Sequence, residues 1–147
     1  MSFENVYNTL RTTIDDYFTD RNEMNDPYNP ESGKEDDLDG AYGILVLGED
    51  TKEELAYLAL TNKSYTREFS LILSNRYVNS RGVPASRVQK EIKLISDGKA
   101  LAIYLGKQFE FCSLINSISF NSDNGIEFLF NDRYITTTFN FTITYQE

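Results

Sequence analysis

Apolar residues near the start of the chain recur at steps of three and four positions, from residue 3 to residue 18. This period places them on one side of a helix of about 17 residues. Ser2 stands where an N-cap would stand, with a side-chain oxygen that can accept from a free amide of the first turn. The pattern therefore predicts an amphipathic N-terminal helix whose buried stripe holds Phe3, Val6, Tyr7, Leu10, Ile14, Tyr17 and Phe18.

The period disappears at about 20–40, where Asn, Asp, Pro, Glu, Ser and Gly dominate and Pro27 and Pro30 stand close together. A loop of this length in a small domain is more often functional or disordered than a simple connection. The sequence therefore predicts a long polar loop.

Strand patterns follow the loop. Residues 42–47 predict a strand that ends at Gly48. A second strand is predicted over 69–74, with Phe69 and Leu73 on one face together with the leucine between them.

The signals between these two strands conflict. Residues 51–54 fit a capping box that opens a short helix, whereas 55–61 could equally pair as a strand in a hairpin. We favour the strand, because residues 61–64 would then form the turn into the next one.

A second helix is predicted near the middle of the chain. Pro84 can occupy its first turn, and Val88, Ile92 and Ile95 fit one face of it. Gly98 then marks its C-terminal end.

Four runs after this helix have strand character: residues 101–105, 114–120, 126–130 and 134–145. The tripeptide at 123–125, Asp-Asn-Gly, is a strong turn signal between the second run and the third. The last run alternates most clearly, with one face formed by Phe139, Phe141, Ile143 and Tyr145 and the other by Thr138, Asn140, Thr142 and Thr144.

These elements predict an α+β fold, in which a mostly antiparallel sheet packs with an N-terminal helix and a second, central helix. A length of 147 residues suits one domain. The single cysteine, Cys112, excludes an internal disulfide and is interpreted as a small packed side chain. No cleavable leader or membrane span is recognisable, so we expect a soluble protein of a reducing cytoplasm.

The chemistry available to the chain is restricted by the absence of histidine. Triads and zinc sites that need an imidazole are excluded, and a glycosidase-like carboxylate pair is the remaining catalytic possibility. The segment 35–40 resembles part of a calcium loop but lacks its ligand spacing, and the glycines near 40–48 form no nucleotide-binding loop. We therefore expect no enzyme and no cofactor.

Charge indicates where partners would bind. Asp and Glu number 23 against 14 Lys and Arg, for a net charge of −9, which disfavours binding to phosphates or an anionic membrane. The acidic residues Asp36, Asp37 and Asp39 are candidates for a partner surface or the lining of a bore. Arg87, Lys90 and Lys93 fall along one side of the second helix, either as a solvated face or as an ion-pairing contact with an acidic neighbouring subunit.

The end of the chain resembles the tail-terminator, or tail-completion, proteins of long-tailed bacteriophages such as lambda. The likeness lies in the run Ser-Ile-Ser-Phe at 117–120, the Asp-Asn-Gly at 123–125 and the closing strand 138–147, which ends in Ile-Thr-Tyr-Gln-Glu. The segment 66–73 is also similar to the long strand that precedes that family's second helix.

The resemblance implies a non-catalytic subunit of a homohexameric ring in the virion tail, assembled in the host cytoplasm. Such a ring ends polymerisation of the tail tube and joins it to the head connector or neck protein. An acidic ring would let DNA pass through its bore without specific binding. Alternatives are a neck or head–tail adaptor, a tail-tube-like subunit, or a non-virion acidic protein that mimics DNA.

Overall fold

The computed structural model describes residues 3–54, 63–77, 87–110 and 115–146. Its helices and strands are α1 (Phe3–Tyr17), β1 (Asn22–Glu23), β2 (Ala41–Glu54), β3 (Lys63–Arg76), α2 (Arg87–Glu110), β4 (Ile115–Leu129) and β5 (Tyr134–Gln146), with short 3-10 turns at Pro30–Ser32 and Glu35–Leu38.

The strands form one sheet in the order β1-β2-β3-β5-β4. The two-residue β1 is parallel to β2, whereas the pairings of β2 with β3, β3 with β5 and β4 with β5 are antiparallel. With α1 and α2 packed on it, the sheet confirms the predicted α+β fold. Its central strands, β3 and β5, are far apart in the sequence.

The two helices cover the same face of the sheet, which we call the helix face. Val6, Leu10 and Ile14 of α1 are buried there, as the period of the sequence predicted. They belong to one apolar core with Phe69 of β3 and with Ile143 of β5. Burial of this stripe holds α1 on the sheet, because an isolated helix of 15 residues is only marginally stable in water.

The alternation predicted in the last strand is confirmed. The helix face buries four side chains of β5: Phe139, Phe141, Ile143 and Tyr145. On the other face Thr138, Asn140, Thr142 and Thr144 are partly exposed. The register pairs Phe69 with Phe141, and these rings stack with centroids 5.9 Å apart. The core is therefore built from cross-strand pairs of large side chains.

The prediction that Gly98 ends the second helix is wrong, because α2 continues to Glu110. Residues 101–105 are accordingly helical and not a strand. Leu94, Leu101 and Leu105 are buried at a helical spacing that crosses the glycine. A Cβ at position 98 would lie 2.0 Å from the ring of Phe139, so this position needs a glycine for close approach to the sheet.

The predicted apolar face of α2 is also wrong. Val88 and Ile92 are 64% and 59% exposed, so they point away from the core that they were expected to join. Ile95 is partly exposed. Placing the helix end at Gly98 left too few turns to identify the inward face, which begins at Leu94. Pro84 lies outside the described residues.

The Asp-Asn-Gly sequence at 123–125 does not separate two strands, because it lies inside one continuous strand, β4. The pairing of β4 with β5 shifts register between Asn124 and Glu127, which is the irregularity that these residues accommodate. The reversal of the chain comes later, where Phe130, Asn131 and Asp132 all have positive φ angles. A left-handed turn at these residues carries no glycine signal in the sequence.

The predicted long polar loop contains β1 and both 3-10 turns. Two apolar residues of the loop, Met24 and Leu38, are buried on the second face of the sheet against Ile72 and Tyr134. Gly43 permits this packing, since a Cβ there would lie 2.6 Å from the side chain of Pro27. The loop is therefore the cover of the sheet opposite the helices.

The conflicting signals over residues 51–61 are resolved in part. Residues 51–54 are a strand within β2, so they do not open a helix. Residues 55–61, Ser2 and Cys112 lie outside the described residues.

Candidate interaction surfaces

The acidic segment 31–39, here called the acidic turn, is held against the hairpin between β4 and β5. The Glu31 carboxylate accepts the backbone N–H of Phe130 at 2.8 Å, and the carboxylate of Asp39 accepts the N–H of Arg76 at 3.0 Å. Ser74 Oγ donates to the carbonyl of the buried Leu38 at 2.6 Å. The turn is thus fixed by bonds at both ends.

Three of the carboxylates in this turn were predicted to face a partner or a bore. The structure places Asp36, Asp37 and Asp39 together on the exposed side, around the buried Leu38. Asp36 accepts a long hydrogen bond of 3.5 Å from the hydroxyl of Tyr134. The turn can therefore present negative charge without losing its attachment to the sheet.

Burial raises the pKa of the Tyr134 phenol, and the carboxylates Glu35, Asp36 and Asp39 contribute in the same direction. The phenol consequently stays protonated and able to donate to Asp36. Glu35 is partly neutralised by Arg133 at 3.4 Å, an exposed pair that contributes little stability.

A buried arginine, Arg21, connects the loop to α2, to the sheet and to the residue that follows α1. The Arg21 side chain is 4% exposed and contacts Asp97 of α2 at 3.1 Å. Its guanidinium also donates to the carbonyls of Ala41 and Ser74, and lies over the ring of Phe18 at 5.4 Å. This set of contacts was missed by sequence reasoning, because its partners come from four separate segments.

The outward face of α2 carries an exposed aliphatic stripe. Val88, Ile92 and Ile103 are 64%, 59% and 63% exposed. Their spacing of 4 and 11 residues puts them on one side of the helix, along roughly 22 Å of its axis. Contiguous exposed apolar surface is typical of contact sites, so this side of α2 is a candidate interaction surface.

Lysines accompany this stripe. Lys93, Lys99 and Lys107 are exposed, and none of them forms an ion pair within the described segments. We call this stripe with its lysines the basic-aliphatic face. Lys99, Ile103 and Lys107 were not singled out in the sequence, although the leucine period that crosses Gly98 could have extended the helix to include them.

The predicted basic group on α2 is only partly realised. Arg87 pairs with Glu91 at 2.8 Å, and its guanidinium lies 4.9 Å from the ring centre of Phe128 in β4. Lys90 is partly buried, and Lys93 is exposed. The structure therefore turns Arg87 toward its own sheet, while Lys93 belongs to the outward face.

Among the described strands, β1 and β4 form the two edges of the sheet. β4 is an edge strand of 15 residues, and β1 covers β2 only at Ala41 and Tyr42. Farther along β2, the exposed phenol of Tyr28 bonds to both the N–H and the carbonyl of Val46, at 2.9 and 3.1 Å. A side chain thus occupies one position at which a further strand could pair.

Two depressions of the described surface have carboxylates in their lining. A groove of about 350 Å³ crosses the second face of the sheet, and among its described lining residues Glu127 alone carries a carboxylate. Asp26 and Asp37 line a pocket of about 10 Å³, which has no room for a sugar ring. The groove thus lacks a second carboxylate, and the pocket lacks the space for a substrate, so neither has the arrangement that glycoside hydrolysis needs.

No group of three or more carboxylate or cysteine side chains in the described part of the chain is placed to hold a metal ion. Among the same residues, no helix has the length and apolar character required to cross a membrane.

No protein-family model matches the chain, and no curated protein matches it significantly.

Proposed function

We propose that the chain is a structural, non-catalytic virion protein that forms a ring at the head-proximal end of a phage tail tube. In this role it ends polymerisation of the tube and joins the tail to the head connector. The observation that carries the proposal is the amount of surface suited to cover by other subunits. A 15-residue edge strand, β4, and the exposed aliphatic stripe of α2 belong to the same small subunit.

The resemblance of the closing strands to tail-terminator proteins supports this position in the virion over others. A neck adaptor or a tail-tube-like subunit would use the same surfaces and is the neighbouring proposal. DNA would traverse the ring without sticking, because a net charge of −9 repels phosphate.

A DNA-mimic function has less support from the acidic turn. Glu31, Glu35 and Asp39 direct carboxylate oxygens to groups of their own chain, so they are not arranged as a free row of charges. Mimicry needs carboxylates spaced along an exposed face like phosphates.

The direct test combines two measurements on the purified chain. Light scattering after size exclusion gives its mass alone, and electron microscopy of gold-labelled protein mixed with terminator-free tail tubes shows where it binds. Label at one end of each tube, with tubes that no longer elongate, is the expected result. A monomer that neither self-associates nor binds tubes contradicts the proposal, and label along the whole tube favours a tube subunit.

The role of the acidic turn in that function is tested by neutralising its exposed carboxylates. The Asp36→Asn, Asp37→Asn and Asp39→Asn triple variant keeps an oxygen acceptor at position 39 for the Arg76 amide, so the turn should stay attached. We expect a lower yield of infectious particles with unchanged thermal unfolding. Wild-type yield would show that these charges serve neither assembly nor passage of DNA.

A further inference from the structure

The acidic turn and the basic-aliphatic face lie on opposite sides of the molecule. Leu38 anchors the turn on the second face of the sheet through Ile72 and Tyr134. Leu94 and Leu105 anchor α2 on the helix face. The sheet separates the two surfaces, so the carboxylates of one cannot pair with the lysines of the other within one subunit.

The two surfaces are complementary in chemistry. Lys93, Lys99 and Lys107 form no ion pair with any residue that the structure describes, and they accompany exposed aliphatic side chains. The segment that carries the turn, 20–40, has eight acidic and two basic residues. It also exposes Tyr28 to 63%, which offers an apolar counterpart to the stripe.

We propose that the basic-aliphatic face of α2 docks on the acidic turn of a second copy of this chain. Because the two surfaces differ and lie on opposite sides, the contact is head-to-tail, and it closes into a ring when its rotation permits. The proposal rests on the proposed ring function and names the contact that would build the ring.

A second copy is the occupant that the charges favour. The chain has an excess of acidic residues, 23 against 14, so its basic side chains are the scarce component of any contact between copies. A group of lysines beside apolar surface matches a partner that supplies carboxylates and an apolar side chain, and the segment 20–40 of a second copy supplies both.

The test exchanges the charges of the two surfaces. One variant carries Lys93→Glu and Lys99→Glu, and a second carries Asp36→Lys and Asp37→Lys. All four positions are exposed, and glutamate is a good helix former, so both variants should fold. Thermal unfolding followed by circular dichroism checks this before assembly is measured.

Each variant alone brings like charges together, so the concentration needed for assembly should rise on the order of tenfold or more. An equal mixture of the two variants should assemble, because each junction then joins opposite charges. A single chain with all four substitutions should also assemble, and its net charge equals that of the wild type. Sedimentation velocity at low and high salt measures all of these, and high salt should weaken wild-type assembly.

The matched control separates a specific contact from a change in overall charge. The variant with Glu4→Lys and Asp16→Lys on the exposed side of α1 has the same net charge as the variant of the acidic turn. It should assemble alone and should not rescue the α2 variant. Rescue by this control would show that only net charge matters, and would overturn the proposal.

Four further results also overturn it. Normal assembly of either reversed variant alone shows that the surfaces do not meet, and leaves the ring function standing. Failure of both the mixture and the fourfold variant shows that the two surfaces are not partners of each other. Loss of tube binding with intact self-association assigns the face to another virion protein. A wild-type chain that neither self-associates nor binds tubes overturns the ring function together with this contact.

Discussion

Gly98 and Gly106 lie about two turns apart on α2 and provide a matched pair of substitutions to alanine. Both are interior to the helix, so replacing either glycine should stabilise the helix itself by about 0.5–1 kcal/mol. The two positions differ in what the added methyl group would meet. Nothing lies within 4 Å at position 106, whereas a Cβ at position 98 would lie 2.0 Å from Cε2 and Cζ of Phe139.

The size of the effect at Gly98 depends on how far Phe139 can move. This side chain is 2% exposed and is surrounded by core residues, so the ring cannot swing into solvent. An apolar cavity of about 40 Å³ beside it gives partial relief. Overpacking of this kind costs about 1–3 kcal/mol, so Gly98→Ala should lower the free energy of unfolding by about 1–2 kcal/mol after the helix gain.

Urea unfolding followed by far-ultraviolet circular dichroism is the suitable assay, since the chain has no tryptophan. We expect the midpoint to fall for Gly98→Ala and to rise for Gly106→Ala, with unchanged slopes. A double-mutant cycle adds Phe139→Leu, a smaller side chain at the contact. The alanine at position 98 should cost less in that background, because the atoms that it meets are gone.

Two outcomes would refute this reasoning. Midpoints that rise equally for both alanines would show that the core at Phe139 absorbs a methyl group, and that close approach is not the reason for glycine at position 98. Additive effects of Gly98→Ala and Phe139→Leu would show that the two residues are not energetically coupled.

Three other predictions follow from buried groups. Phe139→Asp should lower stability by about 3–5 kcal/mol, because it places an unpaired charge on the buried face of β5; an unchanged thermal unfolding temperature would show that this face is not core. Arg21→Met should lower the free energy of unfolding in urea by about 3 kcal/mol, since two backbone carbonyls and the Asp97 carboxylate lose their buried donor. Arg11→Met should lower it by at most about 1 kcal/mol, because the ion pair of Arg11 is exposed. Equal losses would contradict the difference in burial. Burial, aided by a hydrogen bond to Asp15, raises the pKa of Tyr42 above its usual 10, so the free energy of unfolding should be complete below pH 10 and fall as the pH rises past it. In Tyr42→Phe the urea midpoint should fall less steeply with pH. An equally steep fall in both proteins would argue against a phenol that keeps its proton in the folded state.

The sequence by itself determined those elements whose apolar period is uninterrupted. In α1 the period of Val6, Leu10 and Ile14 names the buried stripe, and in β5 strict alternation separates the core face from the polar face. Periodicity succeeds in these cases because one face of each element packs on a single core. It also identified the acidic turn as an exposed segment, because a run of carboxylates cannot be buried without partners.

Tertiary structure decided the elements whose local signals point elsewhere. Gly98 has the local character of a helix end, and only the ring of Phe139 on a distant strand explains why the helix passes through it. The glycine at 125 has the character of a turn residue, but it lies at a register shift in the pairing of β4 with β5. The turn forms instead where three non-glycine residues adopt positive φ angles. The outward stripe of α2 follows from the same cause, since the side of a helix that faces solvent is known only when the side that packs is known.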